Sequence, residues 1–433
     1  MNSEVQNNDK EIIMEYNVCN HERLHDLEVE YGSSFYILDV NKLRTNYKKI
    51  HHAFKSRYSE FIIGYSYKTN YLPYLCKELS KLGAYAEVVS RLEYDLAIKL
   101  GENPKNIIFN GPLKTKEDIQ LALKNDTLIN VDSMYEVNFF IDYAKNHPDK
   151  QIKIGLRLNF DISENGLTIL QDGYEISRFG ICTENGSLQQ VITELEKISN
   201  IKIIGLHGHF STKTRSVQSY KSKTQKLCQI AKEYILNSVE FINIGGGIYG
   251  EMPKSFNINT PSFDDYAEAI CEVMNQEFGH SEKKPTLVLE PGVAMVANTF
   301  IFVSKVIEVK KIKEENFVLV DGSVHTIKPT MHKNNLPHRI IRNNDVEKNK
   351  NESFHIVGYT CMEKDYLAHD IKEVLPQIND YIIFGNVGAY TIVFSPPFIK
   401  ERPAIIAMDN HEIFVVRKKE TFDQFFNEVM YSF

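Results

Sequence analysis

Four stretches of this chain carry residues whose types and spacing point to chemistry. They are Lys68 in YSYKTN, His209 in HGHFST, the glycines of INIGGGIYG, and Glu290 in LEPG. Each follows a short β-branched or aromatic run. A lysine at a strand end, pointing into a closed barrel mouth, is partly desolvated. Its pKa falls and it becomes a carbonyl nucleophile suited to Schiff-base chemistry. The glycine stretch formally contains GxGxxG at Gly245, Gly247 and Gly250. A dinucleotide fingerprint needs an acid about 20 residues on, at the end of a second strand. Here MPKSFNINTPSFDDYAEA follows, with Asp264 and Asp265 opening a helix, so a cradle for one phosphate is the better reading. Taken singly, each group also has an ordinary structural explanation. Lys68 reads as a surface charge, His209 as a satisfied core histidine, Gly245–Gly247 as a tight turn, and Glu290 as a buried acid before Pro-Gly. Arg157 reads first as the anchor of a hydrogen-bond network.

The elements that must position these groups repeat regularly. Strand-like runs occupy 61–68, 84–90, 106–111, 127–133, 152–159, 201–210, 239–247 and 286–292. Between them, 72–83, 91–101, 116–126 and 133–147 carry helical spacing, with Ser90 as an N-cap. Continuous apolar strands joined by helices predict a parallel sheet covered on both faces. Eight repeats fit a closed (β/α)8 TIM-like barrel of typical size ~250 residues; alternation alone leaves an open doubly wound sheet in play. After 292 the texture becomes strand-rich, predicting a β-sandwich or β-barrel domain that the N-terminal segment completes. The expected division is a barrel at 35–290 and a β domain made of 1–34 and 291–433. Residues 342–353 read as a solvated loop.

Composition sets the outer bounds. The chain has 433 residues, 42% hydrophobic and 25% charged, with a net charge of −7. That balance fits an ordinary globular protein and argues against a nucleic-acid partner bound through phosphate neutralisation. The polar, acidic start lacks the features of a secretory signal, and no apolar run is long enough to span a bilayer. The six cysteines are scattered without a CxxC pair, which predicts reduced thiols, no metal site and a cytoplasmic location.

Together these motifs resemble the barrel-fold (fold type III) pyridoxal-phosphate decarboxylases, the group of ornithine, arginine and diaminopimelate decarboxylases. The pattern is most similar to the diaminopimelate enzymes, over about residues 35–405. The resemblance implies pyridoxal 5'-phosphate as cofactor. Lys68 would hold it covalently, His209 would stack on its ring, and Thr212 and Gly245–Gly247 would take the phosphate. Glu290, in Glu290-Pro291-Gly292, would face the pyridine nitrogen, and Tyr390 of GAY would complete the cofactor site. Cys361 and Asp365 of C-x-x-x-D would reach the site of a partner subunit in a head-to-tail homodimer. Cys361 would return a proton to the substrate's α-carbon.

The departures fall on the substrate side. Those relatives continue EPG with arginine, where this chain has Val293. They carry Arg-Pro followed by tyrosine, where KPTMH supplies Lys328 and His332. They place an acid after the cysteine, where Met362 stands. An arginine fork is not replaced by valine, and only weakly by lysine. The expected substrate is therefore a larger or conjugated amino acid from a specialised pathway, such as siderophore or peptide-antibiotic synthesis. Lys328, His332, Met362, Glu363 and Asp365 are its candidate contacts. Two alternatives are an amino-acid racemase, which Glu290 argues against, and a non-catalytic decarboxylase-like regulator, which Lys68 and the glycines argue against.

Overall fold

The apolar runs form strands because each is buried on both faces. In the computed structural model, which describes residues 20–164, 167–343 and 351–433, all eight are present. They are β1 Phe61–Ser66, β2 Tyr85–Val88, β3 Ile107–Phe109, β4 Leu128–Val131, β5 Ile152–Asn159, β6 Ile201–His207, β7 Phe241–Asn243 and β8 Thr286–Leu289. Each strand pairs in parallel with the next, and β8 returns to β1 with Leu287 opposite Phe61 and Leu289 opposite Ile63. The sheet is a closed barrel, so the open alternative falls. The intervening helices start where the sequence places them. The Ser90 hydroxyl accepts the Glu93 N–H at 3.3 Å to open Arg91–Lys99, and Thr115 with Asp118 forms a capping box on Lys116–Lys124.

Inside the barrel, Ile108, Ile204, Phe241 and Val288 pack as one layer. The Phe241 ring fits because its neighbours on β5 and β6 are glycines. A Cβ on Gly155 would come within 2.7 Å of the ring, and one on Gly205 within 2.3 Å. The barrel unit comprises Arg44–Gly250 and Thr260–Met295.

The described part of the second unit is 20–43, 251–259, 296–343 and 351–433. Nine strands form one sheet around the long strand Phe300–Ile312. Its first half pairs antiparallel with Phe35–Asp39 on one side and Tyr381–Gly385 on the other, and its second half pairs with Glu315–Val320. Phe35–Asp39 also pairs in parallel with Ala404–Asp409. Five consecutive buried residues make it an interior strand of this sheet, so the division expected at residue 35 moves to about residue 44. Helix His21–Tyr31 seals the sheet with Leu24 and Leu27 against Phe35, Ile37, Ile301, Val303 and Ile383. Of the predicted loop at 342–353, residues 344–350 lie outside the described residues, as does Cys19. Cys76, Cys228 and Cys271 are buried free thiols, Cys182 is half-buried and Cys361 exposed. No helix among the described residues is long and apolar enough to cross a membrane.

Because Gly205 and Phe241 share one volume, their substitutions should be strongly non-additive. Phe241→Ala is expected to cost about 3–5 kcal/mol by opening a cavity, and Gly205→Ala about 1–3 kcal/mol by overpacking. The double variant should be more stable than the sum of those losses implies, as measured by denaturant unfolding.

Candidate active site

The C-terminal ends of the barrel strands carry one connected polar network. Lys68 sits on a single 3-10 turn directly after β1, and its Nζ donates to Ser66 Oγ at 2.8 Å and to Glu87 Oε2 at 2.6 Å. Glu87, on β2, is buried and also takes the Ser66 hydroxyl. Its other oxygen accepts from Asn110 Nδ2 at 3.0 Å. The same Asn110 amide donates to Glu290 Oε1 at 2.8 Å, and the Asn110 carbonyl accepts from Asn130 Nδ2 at 2.8 Å. Asn243 on β7 gives Glu290 Oε1 a second donor at 2.6 Å. His207 Nε2 lies 3.3 Å from Glu290 Oε2, close enough for attraction, although the angle does not make a hydrogen bond.

Glu290 is 3% exposed. Burial alone would push its carboxyl up, but His207, the Lys68 charge and the Asn243 amide outweigh that and hold it well below the usual range. A buried carboxylate that favours its charged form is what a cationic ring nitrogen would need beside it. Next to it, Gly292 is pressed so tightly on Thr69 that a Cβ would fall 2.0 Å from the threonine oxygen, and Pro291 carbonyl accepts the Ser66 N–H at 3.4 Å. Pro291 and Gly292 lock the two strand ends together.

His209 Nδ1 accepts the Gly246 N–H at 3.0 Å. Burial, with the charges of Lys68, Arg157 and Lys223, lowers its pKa well below the ordinary value, and a ring nitrogen that accepts an N–H is unprotonated, so this imidazole is neutral. The glycine stretch follows β7, with Gly245 and Gly247 at φ +66° and +90°. Here the expectation needs refinement. Gly245 N–H is already taken by Asn243 Oδ1 at 2.9 Å and Gly246 N–H by His209. Of the three amides, only that of Gly247 has no protein acceptor among the described residues. Gly246 lies flat on the strand end of Glu290, since a Cβ would stand 2.1 Å from its carbonyl. Thr212 Oγ1 accepts the Arg215 N–H at 3.2 Å, which orders the turn before helix Val217–Tyr234. A cavity of about 350 Å³ opens beside His209, lined by Ser211, Phe179, Arg178 and Tyr174. Arg157 serves the framework: it donates to Asp132 at 2.8 Å and covers the Phe179 ring at 4.7 Å.

The remaining candidates belong to the sheet unit. Cys361 is exposed on the turn between strands Glu352–Val357 and Tyr366–Glu373. The buried Asp365 builds that turn by accepting from Val324 N at 2.7 Å, Thr360 N at 2.9 Å and Thr360 Oγ1 at 2.6 Å. Its carboxylate thus orders the loop, a role the expectation of a substrate contact did not include. Met362 is half-buried and Glu363 exposed on the same turn. Tyr390 adopts φ +56° and stacks on Phe394 at 5.7 Å. A left-handed conformation at a bulky residue is strained, and such strain collects at functional positions. Lys328 is buried, with its Nζ on Asn334 O at 3.4 Å. Burial lowers its pKa, and burial followed by the Lys328 charge lowers those of His332 and His369. These three bases therefore form one cluster. Glu87, His207 and Asn243 belong to the barrel's polar network and were passed over by the sequence reading, as was His369 beside Lys328 in the sheet unit.

A barrel whose mouth combines a strand-end lysine, a neutral histidine, a glycine turn and a buried charged glutamate has the groups that a barrel-type pyridoxal-phosphate enzyme needs. The comparisons with known proteins agree. The family profile described as pyridoxal-dependent decarboxylase, pyridoxal binding domain matches residues 41–297, and the chain belongs to that family. It is 27% identical over 407 residues to diaminopimelate decarboxylase of Methanocaldococcus jannaschii, covering 92% of this chain and 91% of the relative. The enzyme of that name from Aquifex aeolicus is 26% identical over 410 residues, covering 92% of both. The crystal structure of the Methanocaldococcus jannaschii enzyme superposes with TM-score 0.82 at 26% identity over 92% of both chains. A Helicobacter pylori diaminopimelate decarboxylase complexed with L-lysine gives 0.80 at 25% identity, over 92% of this chain and 97% of that one. This chain is accordingly a decarboxylase that uses pyridoxal 5'-phosphate, which leaves no place for the racemase and regulator alternatives.

Gly246→Ala should expel the glycine turn from its place on the Glu290 strand end. The variant is expected to fold, with a cooperative thermal transition, yet to lose the visible absorbance of bound cofactor.

Proposed function

We propose that this decarboxylase removes the α-carboxylate of an amino acid that carries a further acidic or conjugated group. Its place would be a specialised biosynthetic pathway of the siderophore or peptide-antibiotic kind. The observation that carries the reading is the base cluster of Lys328, His332 and His369 in the sheet unit. The sequence adds Val293 and Met362, at positions where the resembling enzymes bear an arginine and an acid. The buried lysine attracts a carboxylate and repels the distal ammonium of diaminopimelate or ornithine, and the exposed His332 and half-buried His369 beside it add hydrogen-bonding nitrogens.

In this reading Lys68 would hold the cofactor, and Glu87, 2.6 Å from its Nζ, is placed to receive and return the lysine proton. Glu290 keeps a proton on the ring nitrogen. The neutral His209 would cover the ring face without adding a positive charge. When bound, the cofactor supplies the electron sink for the pair left as CO2 departs. Cys361 Sγ then delivers a proton to the α-carbon, and Asp365 holds the turn that presents it. Tyr390 lies on the cofactor side, and Met362 and Glu363 border the substrate. We further propose a homodimer in which Cys361 serves the partner subunit, and a cytoplasmic location in keeping with the unpaired thiols.

A second reading, that the substrate is diaminopimelate itself, draws on the names of the similar enzymes. Release of CO2 from meso-diaminopimelate, ornithine, arginine and amino acids acylated with a polycarboxylic acid separates the two. Turnover of the acidic conjugates with little release from diaminopimelate supports our proposal; rapid release from diaminopimelate overturns it. On the preferred substrate, Lys328→Met should raise KM about tenfold or more with kcat little changed.

Shared sites make a separate prediction. Lys68→Ala and Cys361→Ala should each be nearly inactive alone. Mixing the two under conditions that let subunits exchange should restore part of the activity, since one hybrid site holds both native residues. No recovery in an exchanging mixture would count against the shared-site dimer.

A further inference from the structure

Lys223 is a charge the mechanism above does not use. It lies in helix Val217–Tyr234, which follows β6, and is 4% exposed. Helical side chains lean toward the helix N-terminus, and Lys223 follows the rule: its Nζ sits 4.0 Å from the centre of the Tyr220 ring, three residues earlier. Tyr220 in turn donates its hydroxyl to the Gly246 carbonyl at 2.9 Å, and a Cβ on Gly247 would stand 3.0 Å from that hydroxyl. The ammonium is thus strapped beneath the glycine turn. Among the described residues it makes no ion pair and no hydrogen bond. Burial pulls its pKa down to about 7, while the negative charge of Glu290 works the other way. Methionine or leucine would fill the same space without the cost of burying an amine.

We infer that the Lys223 ammonium is the cationic partner of the anion seated on the Gly245–Gly247 turn, the phosphate of the cofactor. Two further observations agree. The amides of Gly245 and Gly246 are spent on Asn243 and His209, so the turn itself offers fewer donors than its sequence promised. Residues 290–294 pack directly on Gly246 and Gly250, and with Val293 they bring no guanidinium to that end of the barrel. Arg215 stacks over the Tyr249 ring at 4.9 Å beyond the turn, and the buried charge packed against the turn itself through Tyr220 is that of Lys223.

The test compares binding of pyridoxal 5'-phosphate with binding of pyridoxal, which lacks the phosphate, to cofactor-stripped protein by absorbance titration. Lys223→Met should weaken the phosphorylated ligand by about tenfold to a hundredfold, leave pyridoxal nearly unchanged, and abolish thermal stabilisation by inorganic phosphate. Lys223→Arg should keep the preference. Should Lys223→Met fail to melt cooperatively, Lys223→Gln decides on the same ratio. Wild-type affinity for the phosphorylated cofactor in the neutral variant, or an equal loss for both ligands, overturns the assignment.

Discussion

The structure turns on keeping the Glu290 carboxylate charged inside the barrel. An ionised group out of water costs several kcal/mol unless its oxygens are satisfied, and no single neighbour could do that. Asn110 and Asn243 both reach Oε1, and His207 stands at Oε2. Asn110 spends its other amide hydrogen on Glu87, which is held in turn by Ser66 and Lys68. Asn130 fixes which way Asn110 points by donating to its carbonyl. Even the space is arranged for this: a Cβ on Gly155 of β5 would stand 2.0 Å from Asn130 Oδ1. Every one of the eight strands, or the residue just past it, contributes a group or a vacancy. The site is therefore a consequence of closure, because an open sheet would part the neighbours that share these donors.

This dependence explains what the sequence revealed. Strands were legible because residues buried on both faces must be apolar throughout, and helices because their caps are local. Closure was legible only from the number of repeats and the family resemblance, since β8 meets β1 across more than 200 residues and no local pattern records that pairing. Lys68, His209 and Glu290 stood out by their motifs. Glu87 did not, because an acid inside AYAEVVS resembles one solvent-facing position in an alternating strand. Lys223 was hidden differently: in QSYKSKTQK it looks like the polar face of a surface helix, and only the packing of Tyr220 on Gly246 buries it.

The boundary between units shows the same limit. Phe35–Asp39 precedes the barrel in sequence and is as apolar as any barrel strand, yet it is enclosed by Phe300–Ile312 and Ala404–Asp409. An apolar run states that a strand is central, and says nothing about which sheet it is central to. In the C-x-x-x-D motif the spacing was informative, but the two residues do different work. Asp365 is consumed by Val324 and Thr360, and that commitment is what leaves Cys361 exposed at the tip of an ordered turn.

The two halves of the chemistry consequently differ in how freely they can change. Around Glu290 each donor serves two acceptors or each acceptor two donors, so altering one residue leaves a buried charge or amide unsatisfied somewhere else. The residues expected on the substrate side carry no such obligation. Met362 and Glu363 lie on a turn whose geometry Asp365 already guarantees, and Val293 opens a short helix without joining the polar network. Lys328 spends its ammonium on one carbonyl. In a barrel of this kind the groups tied to Glu290 can change only together, whereas residues outside that network can be replaced without leaving a buried charge or amide unsatisfied.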